Sequence, residues 1–128
     1  MSSPTPSQKN HWTKVAELGC ILTGQPAEIA HCHGGSMKLL GPKWQPGMGQ
    51  RQNHWLVIPL AMKHHRGAEG LDTWADGVLA WEAKWGTNQL RLLHQVGDRL
   101  GYNVYEKAGI DPAFALQMAS LPSVGEPD

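Results

Sequence analysis

Histidine is the residue type in this chain that is best placed to do chemistry, because most of its copies lie close together. Five of the seven histidines fall between residues 31 and 65. They are His31, His33, His54, His64 and His65. An imidazole has an ordinary pKa of about 6.5, so it can accept a proton near neutral pH, and it also binds divalent metal ions. With carboxylates nearby, such a cluster is typical of metal-assisted hydrolysis.

The same part of the chain is locally cationic, although the whole protein has no net charge. From Ile29 through Ala68 there is no Asp or Glu. The basic residues in this window are Lys38, Lys43, Arg51, Lys63 and Arg66. A local basic stripe fits a polyanion such as DNA, and these five residues are the candidates for phosphate contacts. The alternative is a solvated loop in which the charges cluster by chance.

The elements that must position the histidines form a strand, a long loop, a strand and a short helix. Glu28–His33 alternates as a short strand does, and Trp55–Leu60 is a buried strand with Pro59 near its end. Residues 34–52 are rich in glycine and proline, so we expect little regular structure there. Ala61–Arg66 is expected to form one or two helical turns. The two strands can pair as a hairpin around the loop.

Helices are predicted on both sides of this unit. Apolar spacing indicates helices over His11–Gly19, over Trp74–Trp85 with Thr73 as N-cap, and onward from Thr87. Asp111 and Pro112 open a last helix that ends at Ala119. We expect the stripe of Trp74, Trp81 and Trp85 to be core rather than a ligand site. Residues 1–10 and 121–128 are predicted tails around one domain, 11–120.

Length and composition exclude several classes of protein. A chain of 128 residues is too short for two ordinary domains. No apolar run reaches the length of a membrane span, and residues 1–10 lack the apolar centre of a signal peptide, so a cytoplasmic location is expected. Cys20 and Cys32 do not make a disulfide framework, and we predict buried thiols.

Several segments in a fixed order carry a resemblance to a known family. They are Leu18–Gly24 (LGCILTG), Ala30–Gly34 (AHCHG), Gly47–Arg51 (GMGQR), His54–Leu60, His64–His65 and Trp81–Thr87 (WEAKWGT). The chain resembles HNH (His-Me finger, ββα-metal) endonucleases, in particular the phage Ref-like, recombination-enhancing, RecA-dependent nucleases. The resemblance covers about residues 11–90 and implies an α+β fold. Its centre would be a ββα-metal finger, a two-stranded hairpin with a long loop and then a helix, packed with N-terminal and C-terminal helices.

The resemblance also implies roles for individual residues. His31 matches the general base at the end of the first finger strand, and His54, or else Asn53, matches the position that braces the loop and the base. His65 matches the metal ligand on the finger helix. The carboxylate partner of His65 is either Glu69, four residues later, or Asp72 in the following loop.

The ligand set and the cofactor stay partly open at this point. His33 points to the same strand face as His31 and is a further candidate ligand. His64 is expected to be exposed or to contact a metal ligand without binding the metal itself. His11 is expected to be an ordinary surface or boundary residue. The cofactor would be one divalent metal ion, with Mg²⁺ ranked first and Zn²⁺, Mn²⁺ or Ni²⁺ as alternatives.

The chain departs from the family pattern at three positions. Ala30 stands where many members have a metal ligand, and Thr23 and Ala61 stand where members with a structural zinc have cysteines. No structural zinc is therefore expected. The long basic N-terminal region of the RecA-dependent nucleases is missing, so a RecA filament is a partner by resemblance only.

The resulting hypothesis is hydrolysis of DNA phosphodiester bonds by a histidine base with one divalent cation. The main alternative is a ββα-metal finger that binds nucleic acid or zinc but no longer cleaves DNA. Ala30 and the missing cysteines favour this alternative. A second alternative is a metal-binding regulatory protein with no nucleic-acid function.

Replacing Lys38, Lys43 and Arg51 together with alanine should weaken DNA binding about equally for all sequences. Each lost phosphate contact should reduce the slope of log affinity against log salt concentration by about one unit. Binding titrations at several salt concentrations measure this slope. An unchanged slope would show that these residues do not contact the DNA backbone.

Overall fold

The computed structural model describes residues 3–41, 53–75 and 77–121, and it shows a mixed α+β fold. In chain order its elements are helix α1 (Pro6–Glu17), strand β1 (Glu28–His31), a 3₁₀ helix (Gly35–Leu40), strand β2 (Val57–Leu60), and helices α2 (Met62–His65), α3 (Val78–Trp85), α4 (Gln89–Leu100), α5 (Val104–Ala108) and α6 (Pro112–Ala119). Among the residues described, no helix is long and apolar enough to cross a membrane.

The two strands form an antiparallel hairpin, as the sequence predicts, but each strand is shorter than expected. Glu28 pairs with Leu60 and His31 pairs with Val57. One more backbone bond, from Cys32 N–H to the carbonyl of Leu56 at 2.9 Å, extends the ladder beyond the strands. All of β2 is buried. The hairpin therefore anchors His31 at the end that opens toward the long loop.

Part of the glycine-rich loop is regular, which the sequence did not indicate. The 3₁₀ helix occupies Gly35–Leu40 and buries Ser36, Met37 and Leu40. Two buried apolar side chains in six residues are sufficient to hold such a short helix against the core. Residues 42–52 lie outside the described part of the chain.

Helix α1 begins at Pro6, five residues before the predicted start and inside the predicted tail. The Thr5 side chain accepts from the backbone N–H of Gln8, and the Gln8 side chain accepts from Thr5 N–H. This capping box, with Pro6 in the first turn, starts the helix without any apolar periodicity. His11 of this helix is buried, only 1% exposed, so the prediction of an ordinary surface or boundary residue was wrong.

The C-terminal helices follow the predicted order with shifted beginnings. Helix α3 begins at Val78 rather than Trp74, because the Thr73 hydroxyl donates to the carbonyl of Gly67 instead of capping a helix. Asn88, not Thr87, caps α4 by accepting from Arg91 N–H. Helix α5 was not predicted, whereas α6 begins after its expected cap, Asp111.

The core lies between the hairpin and the long helix α4. Trp81 is fully buried, and Trp74 and Trp85 are half-buried and pack against the core, as the tryptophan stripe predicts. Cys20 and Cys32 are both buried free thiols, also as predicted.

Glu82 is a buried carboxylate within this core, 1% exposed. It accepts from the N–H and the hydroxyl of Ser36, at 2.9 and 2.5 Å, and from the N–H of Gln89 at 2.7 Å. These bonds join α3, the 3₁₀ helix and the first residue of α4. A buried carboxylate satisfied in this way ties together elements that are distant in sequence.

Replacing Glu82 with alanine should reduce the free energy of unfolding by about 3 kcal/mol or more, because it leaves buried donors on Ser36 and Gln89 without an acceptor. Urea denaturation followed by tryptophan fluorescence measures the change. The matched control is Glu17→Ala, which removes an exposed carboxylate at the end of α1 and should change stability by less than about 0.5 kcal/mol. Equal effects of the two variants would contradict this role for Glu82.

Candidate active site

The His31 and His54 imidazoles form a pair at the open end of the hairpin. His31 ends β1, and His54 lies in the turn before β2. The Nε2 atom of His31 is 3.2 Å from the Nδ1 atom of His54, which is a hydrogen-bond distance. From the resemblance, we expected His54 to brace His31. The structure brings the two rings together.

Trp12 of α1 holds this pair from the side. Its ring packs edge-on against both imidazoles, with centroids 5.5 Å from His31 and 5.3 Å from His54. Its Nε1–H donates to the His54 carbonyl at 2.8 Å. The ring of Trp12 thereby limits the motion of both histidines and shields them from water.

Burial lowers the pKa of His31 from 6.5 to about 4. The main cause is loss of hydration, which disfavours the charged imidazolium. Electrostatic repulsion between the His31 and His54 rings adds to this effect, and Asp72 opposes it only in part. His31 is therefore neutral at physiological pH, so its lone pair is available to accept a proton.

A second group of side chains is centred on Asp72. One carboxylate oxygen lies 2.6 Å from His33 Nε2, and the other lies 3.0 Å from His65 Nε2. The charges of all three residues act on His31. Asp72 thus connects a residue just after β1 with the last residue of α2.

The backbone of the turn after α2 explains why Asp72, and not Glu69, reaches His65. The N–H of Asp72 donates to the His65 carbonyl at 2.9 Å, which places the two residues side by side. Gly70 permits this close approach, because a Cβ atom at that position would lie 2.5 Å from the His65 carbonyl oxygen. The helix does not continue to Glu69, so the expected i, i+4 relation with His65 does not exist.

Glu28 completes the surroundings of His65, and the sequence analysis missed it. His65 Nδ1–H donates to Glu28 Oε2 at 2.6 Å, and the Arg66 guanidinium binds the same carboxylate. The bond with Arg66, followed by that with His65, outweighs partial desolvation and lowers the pKa of Glu28. The only sequence signal was that Glu28 is the acidic residue bordering the acid-free window.

This bond constrains the other nitrogen of His65. Since Nδ1–H points to Glu28, Nε2 faces the Asp72 carboxylate either with a second proton or with a lone pair. A lone pair beside a carboxylate is unfavourable unless a cation lies between them. In metal sites, the histidine nitrogen that does not bind the metal usually donates to a carboxylate, which orients the ring.

His33 is held through its backbone by Gln89, which is fully buried. Its N–H donates to Gln89 Oε1, and its carbonyl accepts from Gln89 Nε2, both at 2.9 Å. Because Glu82 binds the N–H of Gln89, the buried network described above fixes the position of His33. Neither Gln89 nor Glu82 was singled out from the sequence as part of a site.

Other predicted site residues have different partners. Glu69 forms ion pairs with Lys63 at 2.8 Å and Lys84 at 3.3 Å, and these hydrogen bonds lower its pKa. His64 is buried against the edge of Trp85, so its expected exposure was wrong. The predicted ligand choice between Glu69 and Asp72 therefore has a geometric answer: Asp72 contacts His65.

The five basic candidates for DNA contact divide into three groups. Lys38 is exposed on the 3₁₀ helix. Lys63 and Arg66 are exposed but paired with Glu69 and Glu28. Lys43 and Arg51 lie outside the described residues.

The donors around Asp72 fit a metal ion chemically, although they are hydrogen-bonded to one another here. Within the described ranges, no three His, Cys, Asp or Glu side chains already stand at the mutual spacing of a metal centre. His33 and His65 nevertheless each direct one imidazole nitrogen at the Asp72 carboxylate, each at a different oxygen. Such a mixed nitrogen and oxygen set suits borderline divalent metals.

Comparison of the chain with protein-family models, curated proteins and solved structures finds no match. The candidate site therefore rests on its own geometry.

Nuclear magnetic resonance of the metal-free protein should give His31 a pKa of about 4. Because the folded-state pKa is below the unfolded value of about 6.5, His31 stabilises the fold fully above that value. This stabilisation is lost as the pH falls toward 4. His54→Ala should raise the pKa of His31, because it removes the electrostatic repulsion between the two rings and admits water. A wild-type pKa near 6.5 would contradict the burial argument.

Proposed function

We propose that this chain is a metal-dependent DNA endonuclease of the HNH class. The observation that carries the proposal is that a neutral histidine, His31, lies within electrostatic reach of the Asp72 carboxylate, which contacts both His33 and His65. A proton acceptor next to a potential cation site is the minimum machinery for hydrolysing a phosphodiester. The acid-free basic window supports a polyanionic substrate.

The order of elements supports the finer assignment to a ββα-metal finger. Strand β1 leads to His31, a long loop returns to β2, and α2 follows directly and ends with His65. This is the order that the resemblance implies. The hairpin brings the first and last of these elements together, since Glu28 pairs with Leu60 at the end of the sheet nearest α2.

In this proposal His31 acts as the general base. If its Nε2–H donates to His54 Nδ1, its second nitrogen carries the lone pair and accepts a proton from water. The water oxygen then forms a bond to phosphorus, and the bond from phosphorus to the departing oxygen breaks with its electron pair on that oxygen. His54 and Trp12 keep the base oriented during this transfer.

His33, His65 and Asp72 would hold the divalent cation. When bound, the cation would offset negative charge on the scissile phosphate and on the departing oxygen. Two imidazole nitrogens favour Mn²⁺, Zn²⁺ or Ni²⁺ over Mg²⁺, which prefers oxygen ligands. The structure-based proposal thus changes the ranking of metals that the sequence suggested. Glu28 would orient His65 from behind.

Plasmid nicking with metal titration tests the proposal. His31→Ala should reduce the rate about 10²–10⁴-fold while DNA binding is retained, because only the proton acceptor is lost. A variant with full activity would contradict the base assignment. DNA binding without any nicking by the wild-type protein would instead favour a finger that has lost cleavage.

The same assay tests whether Asp72 or Glu69 is the carboxylate ligand of the metal ion. His65→Ala and Asp72→Asn should both raise the metal concentration needed for half-maximal activity, by about 10–100-fold, and excess metal should restore part of the loss. Glu69→Gln is the matched control, because Glu69 pairs with lysines instead. If Glu69→Gln were as damaging as Asp72→Asn, the proposed ligand set would be wrong.

A further inference from the structure

A cavity of about 260 Å³ lies between α1, the turn before β2 and the start of α5. Its wall includes Asn10 and Lys14 from α1, Trp55, Tyr102 and Lys107. Among the described residues that line it, none carries a carboxylate. It is separate from the His31–His54 pair and contains none of the basic residues that the sequence analysis assigned to DNA.

Two ammonium groups of the cavity wall, those of Lys14 and Lys107, lie near the same aromatic ring. The Nζ atoms of Lys14 and Lys107 lie 5.8 and 5.7 Å from the centroid of the Tyr102 ring. Both lysines are exposed, and in the part of the chain that the structure describes neither forms an ion pair. Two ammonium groups beside one ring, neither of them paired with an anion among the described residues, favour an anionic ligand.

The ring under these lysines is held in place by a buried hydrogen-bond chain. The Tyr102 hydroxyl lies 2.5 Å from His11 Nδ1, and His11 Nε2 lies 3.1 Å from the Trp55 carbonyl. A neutral imidazole satisfies both contacts if Tyr102 donates to Nδ1 and Nε2–H donates to Trp55. The cavity therefore has a fixed aromatic side, and only the lysine chains need to adjust to a ligand.

The cavity is adjacent to the candidate active site, because His11 and Trp55, which line it, are chain neighbours of Trp12 and His54. Trp12, which contacts His31 and His54, follows His11 in α1. Trp55, which lines the cavity, follows His54. A nucleic-acid strand leaving the His31–His54 pair along this side of α1 would meet Lys14 and Lys107 next.

We propose that Lys14 and Lys107, seated on Tyr102, bind a backbone phosphate of the nucleic-acid substrate on this side of the cleavage site. The identity of the ligand as a nucleic-acid strand rests on the proposed function, whereas the phosphate site rests on the cavity itself. Asn10 and Ser7 supply neutral hydrogen-bonding groups at its edge. The strand would thus contact α1 and α5 as well as the basic loop.

Fluorescence anisotropy with a short labelled single-stranded oligonucleotide tests this site in EDTA, which prevents cleavage. Lys14→Gln/Lys107→Gln should weaken binding about tenfold and reduce the slope of log affinity against log salt by about 1.4, for two contacts on a single strand. The matched control is Lys9→Gln/Arg99→Gln. It removes the same charge from two exposed residues outside the cavity, and it should change affinity less than about twofold. All four positions are exposed, and circular dichroism verifies that both variants fold.

Equal loss of affinity in both double variants would show that only net charge matters, and it would overturn the proposal. The proposal would also be wrong if neither variant lost affinity, or if the wild-type protein did not bind the oligonucleotide. Displacement of the oligonucleotide by micromolar pyrophosphate from the wild-type protein would indicate a free phosphorylated ligand and overturn the strand assignment. If the wild-type protein does not nick plasmid but only the Lys14/Lys107 variant loses binding, the endonuclease proposal is wrong and the phosphate site is supported. If the wild-type protein nicks plasmid and the Lys14/Lys107 variant binds normally, only the proposal of the phosphate site is wrong.

Discussion

The fold around the candidate site depends on one buried carboxylate, that of Glu82. Its oxygens accept from Ser36 and from the N–H of Gln89, so α3, the 3₁₀ helix and α4 are joined at one point. The packing is close, because a Cβ atom on Gly35 would lie 2.5 Å from Glu82 Oε1. A carboxylate removed from water keeps its place only when its oxygens are bonded, which makes this junction specific in geometry.

The junction reaches the site through Gln89, whose side chain pairs with both backbone groups of His33. Beyond His33 the contacts are between imidazoles and carboxylates: His33 contacts Asp72, Asp72 contacts His65, and His65 contacts Glu28. The buried junction therefore adjoins the partly exposed imidazoles and carboxylates of the candidate site. This arrangement suits a site that must keep its geometry while its groups exchange protons or a cation.

Residue patterns predicted the parts of the fold that local physics controls. The hairpin, the burial of Cys20 and Cys32, and helix α6 after Asp111 follow from alternation, apolar character and capping. Patterns of apolar spacing failed at helix starts, which local polar contacts such as the Thr5–Gln8 capping box set. Helix α1 started earlier than expected, α3 started later, and α5 was not predicted at all.

The sequence alone determined which residue types lie near each other along the chain: a histidine-rich, acid-free window bordered by carboxylates. Tertiary structure decided which of them meet. Glu69 is closer to His65 in sequence than Asp72 is, yet the turn at Gly70 returns the backbone so that Asp72 N–H bonds to the His65 carbonyl. The physical reason is that helical spacing relates residues only while the helix continues, and beyond its last turn backbone hydrogen bonds set the neighbours.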